Sequence, residues 1–185
     1  MVEIDEAKFL DMYTAGFGAL KGDQKDGLLS LVRSIGKDLK LNDRRWPAYM
    51  LATVKHECAD TWRPIEEYGK GAGRPYPPYY GRGYVQLTWK ENYLKLGQAL
   101  GLGDQMVVRP ELALQPDVAY QVMSFGMRSG TFTGKKMADF LHDKVTDFIN
   151  ARRIINGLDR AELIGGYASK FNDILSACSR VTSGS

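Results

Sequence analysis

Apolar side chains recur at helical spacing along most of the chain. Across Arg44–Thr61, for example, Leu51, Val54 and Cys58 fall on one helical face. Only Gly83–Leu87 is typical of a strand, at one edge of a short hairpin. We therefore expect a mainly α domain. The other predicted helices are Phe9–Ala19, Lys25–Leu39, Thr88–Leu100, Gln115–Met127, Met137–His142, Val145–Ile155 and Ala161–Cys178.

Glu57 interrupts the apolar stripe of the Arg44–Thr61 helix, seven residues after Met50 and three after Val54. Burial raises the pKa of a carboxyl group in general, so Glu57 is a candidate proton donor near neutral pH. The structural alternative is a half-exposed glutamate that pairs with a lysine or arginine at the helix edge.

A loop rich in glycine, proline and tyrosine follows, from Gly69 to Gly83. Its prolines forbid a continuous helix and its glycines allow sharp turns. Two carboxyl groups in a tyrosine-lined cleft are the equipment for glycoside hydrolysis. The aromatic side chains either stack on sugar rings or simply pack the loop. They are Tyr76, Tyr79, Tyr80 and Trp89.

The segment Tyr79–Tyr93 resembles the family 19 chitinases and the related phage endolysins. That family carries Tyr-Tyr-Gly-Arg-Gly-Pro-x-Gln-Leu-Ser/Thr-Trp at this point. Here His56–Cys58 and Ile65–Glu67 precede the segment in the family's order, and Arg153–Gly157 is similar to its Ile-Ile-Asn-Gly-Gly. The resemblance covers Trp46–Tyr167. It implies a lysozyme-like α+β domain with a small β-hairpin and loop region at the active-site cleft.

The resemblance also assigns roles to residues. It makes Glu57 the general acid and places Gln86, Thr88, Asn92 and Asn156 against sugar or the catalytic water. Hydroxyl and amide groups suit these contacts, although Gln86 and Asn92 could instead cap a turn or a helix start.

Three further residues complete the predicted substrate-binding set. Tyr79, Tyr80 and Arg82 belong to the Tyr-Tyr-Gly-Arg-Gly motif. For Arg82 we favour the alternative of a structural hub, because its five fixed donors suit tying loops together.

The departures from the family pattern argue against specificity for chitin. Plant-type members place a second catalytic glutamate in an insertion before Tyr-Tyr-Gly-Arg-Gly, yet no acidic residue lies between Glu67 and Tyr79. The motif's proline is Tyr84, and an arginine common in chitinases is Leu163.

A second resemblance, to phage lysozymes, supplies a candidate for the second carboxylate. Those enzymes often carry an acidic or small polar residue nine positions after the acid glutamate, and Glu66 stands nine after Glu57. We therefore predict Glu57 as the acid, Glu66 as the second carboxylate and Thr88 as the group that orients water. Glu67 is the less favoured choice.

The length of 185 residues predicts a single lysozyme-like catalytic domain. Its parts are a helical amino-terminal region 1–43, a catalytic core 44–178 and a frayed tail 179–185. Cys58 and Cys178 are expected to be buried free thiols, with a bridge as the alternative. The proposed chemistry requires neither a metal nor an organic cofactor.

A net charge of +3, with scattered basic residues, argues against nucleic acid and weakly suits an anionic cell wall. No segment is apolar enough for stable membrane insertion, and Met1–Lys8 does not resemble a signal peptide. We expect a monomer made in the host cytoplasm. It would reach peptidoglycan glycan strands in the periplasm or cell wall by a holin-dependent route.

Rival enzyme classes fit less well. A zinc peptidase motif needs a histidine where the chain has Asp60, and a cysteine amidase would have to combine Cys58 with His142. The predicted function is therefore an endolysin-type peptidoglycan hydrolase, an N-acetylmuramidase. The alternatives are a family 19 chitinase and a non-catalytic sugar-binding relative.

Overall fold

The computed structural model describes residues 2–181 and is mainly helical, as predicted. The α-helices are α1 (Glu6–Phe17), α2 (Gln24–Lys37), α3 (Arg45–Glu57), α4 (Lys90–Ala99), α5 (Gln105–Val108), α6 (Pro116–Ser129) and α7 (Ala161–Cys178). The strands are β1 (Val2–Ile4), β2 (Ile65–Glu66), β3 (Arg82–Gly83), β4 (Leu141–His142), β5 (Val145–Thr146) and β6 (Ser179–Val181). Antiparallel pairs join β1 to β6, β2 to β3 and β4 to β5. 3-10 helices lie at Tyr68–Gly71, Pro110–Leu114, Met137–Asp139 and Asn150–Ile154.

Helix α3 is the centre of the core. Every residue from Pro47 to Lys55 is buried, so the helix is enclosed on all sides rather than along one stripe. Its main packing partner is α7, which contributes Ile164, Ala168 and Phe171. Full burial of each large apolar side chain contributes roughly 1.5–3 kcal/mol. The core thus fixes the helix that ends at Glu57.

The amino-terminal helices begin earlier than their apolar pattern predicts. Asp5 caps α1, since its carboxylate accepts a hydrogen bond from the Lys8 amide at 3.0 Å. The cap adds the polar residues before Phe9 to the helix. Polar first turns carry no apolar periodicity, which is why the pattern misses them.

The helix predicted over Arg44–Thr61 ends at Glu57 instead. Ala59, Asp60 and Trp62 all have positive φ angles, of 47°, 62° and 58°, which no α-helix accommodates. The chain therefore leaves the helix immediately after Glu57, and Cys58 is the first residue beyond it.

The helix predicted over Val145–Ile155 is wrong. The segment forms β5, a turn and the 3-10 helix Asn150–Ile154. Asp147 accepts a hydrogen bond from the Asn150 amide at 2.9 Å and starts that short helix. Arg45 donates to the Val145 carbonyl at 2.7 Å and holds the preceding strand against the start of α3. These tertiary contacts override the helical spacing.

Two neighbouring predictions also need correction. The stretch Met137–His142 is a 3-10 turn followed by β4, not one helix. Thr88 does not cap α4, because Trp89 occupies the cap position with a φ of 72°. Of the predicted strand Gly83–Leu87, only Gly83 lies in β3, and Leu87 forms an isolated bridge back to Arg82.

The frayed tail predicted from position 179 is wrong for its first part. Ser179–Val181 forms β6 and pairs with β1, while positions 182–185 lie outside the described residues. The two cysteines are free and buried, as predicted. Burial raises the pKa of the Cys58 thiol to about 12, which removes the thiolate that a cysteine amidase would need.

Within residues 2–181, no helix combines the length and the apolar character that a bilayer crossing requires.

Candidate active site

A groove of about 310 Å³ lies where α3 ends and the glycine-rich loop begins. We name its two sets of residues the helical side and the loop side. The helical side consists of Glu57, Ile155 and Asn156. The loop side consists of Glu67, Gly81, Val85, Gln86 and Thr88. Two carboxylates, a hydroxyl and two amides therefore share one small space.

Glu57 is held by an ion pair that the sequence did not reveal. Its Oε1 accepts a hydrogen bond from Arg152 Nη1 at 2.7 Å. The Arg152 side chain is 3% exposed and that of Glu57 is 16% exposed, so the pair is shielded from water. Arg152 also donates from Nε to the Asp159 carbonyl at 3.1 Å. Glu57 is thus mostly buried, as its place on the apolar stripe predicts, and it also pairs with an arginine, as the structural alternative predicts.

Arg152 directly precedes the Arg153–Gly157 segment that carries the resemblance. Its position beside this motif is the one feature of the sequence that could have indicated its role. The 3-10 helix that contains Arg152 also leads directly to Asn156. Thr133 fixes that helix, since its hydroxyl donates to the Arg153 carbonyl at 2.6 Å and to the Ile154 carbonyl at 3.1 Å. One short helix therefore supplies both the partner of Glu57 and an amide of the groove.

Glu67, not the predicted Glu66, lines the groove with Glu57. Glu67 accepts hydrogen bonds from the Tyr76 hydroxyl at 2.8 Å and from the Gly81 amide at 2.9 Å. Each carboxylate oxygen therefore has one donor, which fixes the side chain. The residues adjoin at the end of β2, where consecutive side chains point to opposite faces.

Glu66 takes part in a separate cluster. Its carboxylate accepts a hydrogen bond from the Tyr80 hydroxyl at 2.9 Å and lies 3.5 Å from Lys70 Nζ and 3.6 Å from Arg82 Nε. The Tyr80 hydrogen bond, together with the two cations, lowers the pKa of Glu66. The nine-residue spacing cannot specify how the chain turns between α3 and β2, and so does not determine which of the two glutamates lines the groove.

That turn is stabilised by a buried lysine. Lys55 forms an ion pair with Asp60, and its ammonium group lies 4.8 Å from the ring centre of Phe17 and 5.3 Å from that of Tyr167. Burial alone would lower the pKa of Lys55, but the hydrogen bond to Asp60 raises it overall. The contacts hold the turn whose residues have positive φ, and so set which face of β2 meets the groove.

Besides Glu57, three predicted site residues line the groove: Gln86, Thr88 and Asn156. Gln86 also donates to the Ile65 carbonyl at 3.2 Å, which ties the loop to β2. The Thr88 hydroxyl contacts the Gln86 carbonyl at 3.4 Å, a long hydrogen bond that a closer partner would replace.

The other predicted substrate-binding residues hold the loop together. Arg82 is 5% exposed and donates to the Pro78 carbonyl at 3.0 Å and to the Tyr93 hydroxyl at 3.1 Å. It is the structural hub that we favoured. Tyr79 donates to the Val107 carbonyl at 3.3 Å. Tyr80 bonds Glu66, and Asn92 donates to the Thr88 carbonyl at 3.0 Å. None of these lines the groove.

Sequence relatives match only a short part of the chain, and no protein-family model matches it. An acidic 26 kDa endochitinase of Solanum lycopersicum is 43% identical over 44 residues, which are 23% of this chain and 17% of that protein. Chitinase 11 of Oryza sativa subsp. japonica is 52% identical over 46 residues, or 24% of this chain and 17% of that protein. The match thus spans about a sixth of either relative.

Solved structures match almost the whole chain. A bacterial family 19 chitinase superposes with a TM-score of 0.64 at 23% identity, covering 98% of this chain and 97% of its own. A class IV chitinase of the same family from Zea mays gives 0.59 at 19% identity, covering 98% and 94%. Chitinase C of Streptomyces griseus gives 0.58 at 24% identity, covering 94% and 76%.

This chain has the family 19 chitinase fold. The comparisons confirm the predicted resemblance to these chitinases and the lysozyme-like, mainly α fold. The part of the resemblance that concerns phage endolysins stays a prediction.

Within this family 19 fold, an aromatic pair borders the loop side of the groove. The rings of Tyr76 and Trp89 meet edge to face, with centroids 5.2 Å apart and an interplanar angle of 74°. Trp89 is 45% exposed, whereas Tyr76 is half-buried. Trp89 therefore keeps a free aromatic surface beside the Tyr76 ring.

Proposed function

We propose that this chain is a glycoside hydrolase that cleaves β-1,4 bonds in a polymer containing N-acetylglucosamine. Glu57 acts as the general acid and Glu67 as the second carboxylate. The observation that carries the proposal is the groove in which these two carboxylates meet Thr88 and Asn156. The family 19 chitinase fold supports it.

Glu57 donates its proton to the glycosidic oxygen, and the bond from that oxygen to the anomeric carbon breaks with its electron pair on the oxygen. The guanidinium of Arg152, 2.7 Å from Glu57, then stabilises the carboxylate that proton transfer leaves behind.

Glu67 accepts the proton of the attacking water in the inverting course that the family resemblance implies. Its two hydrogen bonds, from Tyr76 and Gly81, keep the carboxylate oriented. Thr88 orients the same water through its hydroxyl. The amides of Gln86 and Asn156 read the hydroxyl and N-acetyl groups of the sugar.

Within this class we propose peptidoglycan as the substrate and N-acetylmuramidase as the activity. The loop from Gly69 to Gly81 is short and carries no acidic residue, so it leaves room for the lactyl-peptide branch of that polymer. The net charge of +3 suits an anionic wall. The proposal includes the predicted biology: a monomer made in a host cytoplasm that reaches the periplasm or cell wall through a holin-dependent route.

Chitin is the second candidate substrate. The chitinases named above favour it through a shared fold and a short sequence match. Chitin and peptidoglycan share β-1,4-linked N-acetylglucosamine, so a groove for one partly fits the other.

Product analysis separates the candidates. Purified peptidoglycan and chitin oligomers are each digested, reduced with borohydride and examined by mass spectrometry. Reduced N-acetylmuramic acid ends are the expected result. Reduced N-acetylglucosamine ends from chitin, with intact peptidoglycan, would make the protein a chitinase instead. No cleavage of either polymer would favour a non-catalytic sugar-binding protein.

Single substitutions test the residue assignment in the same assay. Glu57→Gln and Glu67→Gln should each reduce cleavage by roughly a hundredfold or more, the usual contribution of an acid or base group. Glu66→Gln is the matched neighbour and should retain most activity. Glu111→Gln, an exposed carboxylate away from the groove, controls for net charge. Full activity in Glu67→Gln together with its loss in Glu66→Gln would restore the assignment that the spacing suggested.

A further inference from the structure

Tyr76 stands out among the loop residues because its hydroxyl reaches a carboxylate of the groove. It donates to Glu67 Oε1 at 2.8 Å, while the opposite oxygen of Glu67 is held by the Gly81 amide at 2.9 Å. A backbone donor stays in place with the fold. The phenol, in contrast, depends on where the loop puts the tyrosine ring.

Three contacts fix that ring. Its backbone carbonyl accepts a hydrogen bond from the Tyr79 amide at 2.7 Å. The ring meets Trp89 edge to face at 5.2 Å. It also lies against Gly71, where an added Cβ would be only 3.0 Å from Tyr76 Cε2. Gly71 has a φ of +71°, so a glycine suits both the backbone and the close approach.

We infer that Tyr76 is a positioning residue for Glu67, which holds that carboxylate in the orientation needed for its role as the second carboxylate. A hydroxyl that donates to a carboxylate stabilises the charged form over the protonated one. The reciprocal effect is present on the tyrosine, since the hydrogen bond to Glu67 raises the pKa of Tyr76. The inference rests on the proposed function, because it assumes that Glu67 is the second carboxylate.

The charged groups around Glu67 determine whether the effect of Tyr76 on this carboxylate can be measured separately. Glu57 shares the groove but is paired with Arg152, and Glu66 belongs to the cluster with Lys70 and Arg82. Arg74 acts on the Tyr76 hydroxyl and lowers its pKa slightly against the larger effect of Glu67. The remaining groove residues Gln86, Thr88 and Asn156 are uncharged. Tyr76 is therefore the neighbour whose removal changes the surroundings of Glu67 without removing a charge.

The contact between the two rings also links the exposed Trp89 to the position of the Tyr76 hydroxyl. A sugar ring stacked on Trp89 would restrict the indole, and through the edge-to-face contact the Tyr76 ring behind it. Binding of substrate at this edge of the groove would then hold the phenol on Glu67.

Tyr76→Phe tests the inference, because it keeps the ring and removes only the hydroxyl. The experiment measures kcat and KM for cleavage of purified peptidoglycan and of chitin oligomers between pH 4 and pH 9. On the plateau, kcat should fall about threefold to tenfold while KM changes little.

Tyr68→Phe is the matched control. Tyr68 lies in the same loop, is fully exposed and contributes nothing to the groove, so its profile should superpose on that of the wild type. Thermal unfolding of both variants separates a general loosening of the loop from a local effect. An unchanged plateau kcat in a folded Tyr76→Phe variant would overturn the inference, and so would a loss that appears only in KM.

Glu67→Gln, assayed in parallel, separates the two hypotheses. If Glu67→Gln retains activity, the assignment of the base in the proposed function fails. If Glu67→Gln is inactive but Tyr76→Phe keeps the wild-type profile, only the role of Tyr76 fails.

Discussion

The helical side and the loop side of the groove hold their carboxylates by different means. Glu57 ends a helix buried on all sides and pairs with the buried cation Arg152. Glu67 follows a strand of two residues and is held by a phenol and one backbone amide, both neutral donors. Hydrogen bonds between charged groups are stronger than those with neutral donors. The core therefore fixes the acid, and a local loop fixes the second carboxylate.

This difference predicts how substitutions on each side of the groove affect stability and activity. Changes on the helical side should reduce both stability and activity, because they disturb the core. Changes on the loop side should reduce activity and leave the free energy of unfolding nearly unchanged. The substitutions below, from the largest expected effect to the smallest, test that division.

Arg152→Ala should have the largest effect on stability. It leaves Glu57 without its partner in a site that is mostly closed to water, which costs about 3 kcal/mol of unfolding free energy. Urea unfolding measures the loss. Arg153→Ala, an exposed neighbour, should stay within about 0.5 kcal/mol of the wild type. Equal stability of Arg152→Ala and Arg153→Ala would contradict the difference between the two sides.

Asp60→Asn should have an intermediate effect, because it affects the turn that joins the two sides. Lys55 is 8% exposed and would lose its ionic partner, at a cost of about 2 kcal/mol. Activity should fall too, since the turn sets which face of β2 meets the groove. Asp143→Asn, which removes an exposed carboxylate, is the control. A variant with reduced stability but wild-type activity would show that the turn does not position Glu67.

Glu66→Gln should have the smallest effect, below about 1 kcal/mol at pH 7, because its ion pairs are partly exposed. The hydrogen bond from Tyr80 and the nearby cations lower the pKa of Glu66 in the folded state. Its contribution to stability is therefore present above the unfolded pKa of about 4.3 and is lost as the pH falls through the lower folded value.

The stability gap between the wild type and Glu66→Gln should accordingly shrink between pH 5 and pH 3. Urea unfolding at pH 7, 5 and 3 measures it. A gap that stays constant or widens toward pH 3 would mean that the Glu66 cluster does not stabilise the loop side.

The helices were the most predictable part of the molecule. The segment Ala161–Cys178 was predicted with its observed bounds, because its apolar face is buried from Ala161 to Cys178 and packs mainly on α3. Val145–Ile155 has a similar pattern but forms a strand, a turn and a 3-10 helix. Its backbone is held by Arg45 and Asp147, and apolar spacing carries no information about such contacts.

The candidate site was only partly predictable. Glu57, Gln86, Thr88 and Asn156 were named from motifs, and the groove includes all four. Arg152 was not named, since its link to Glu57 joins positions 95 residues apart in the chain. The same motifs contain four residues that instead form hydrogen bonds within the loop or to neighbouring elements: Tyr79, Tyr80, Arg82 and Asn92.

By itself, the sequence determined the mainly α class, the buried helix that carries Glu57 and the motif residues near the groove, because periodicity and motif chemistry are local. Only the tertiary structure decided that Glu67 rather than Glu66 faces Glu57 and that Arg152 holds the acid. The physical reason is that adjacent strand residues point to opposite faces. A turn with three positive φ angles, held by Lys55 and distant aromatic rings, selects between them.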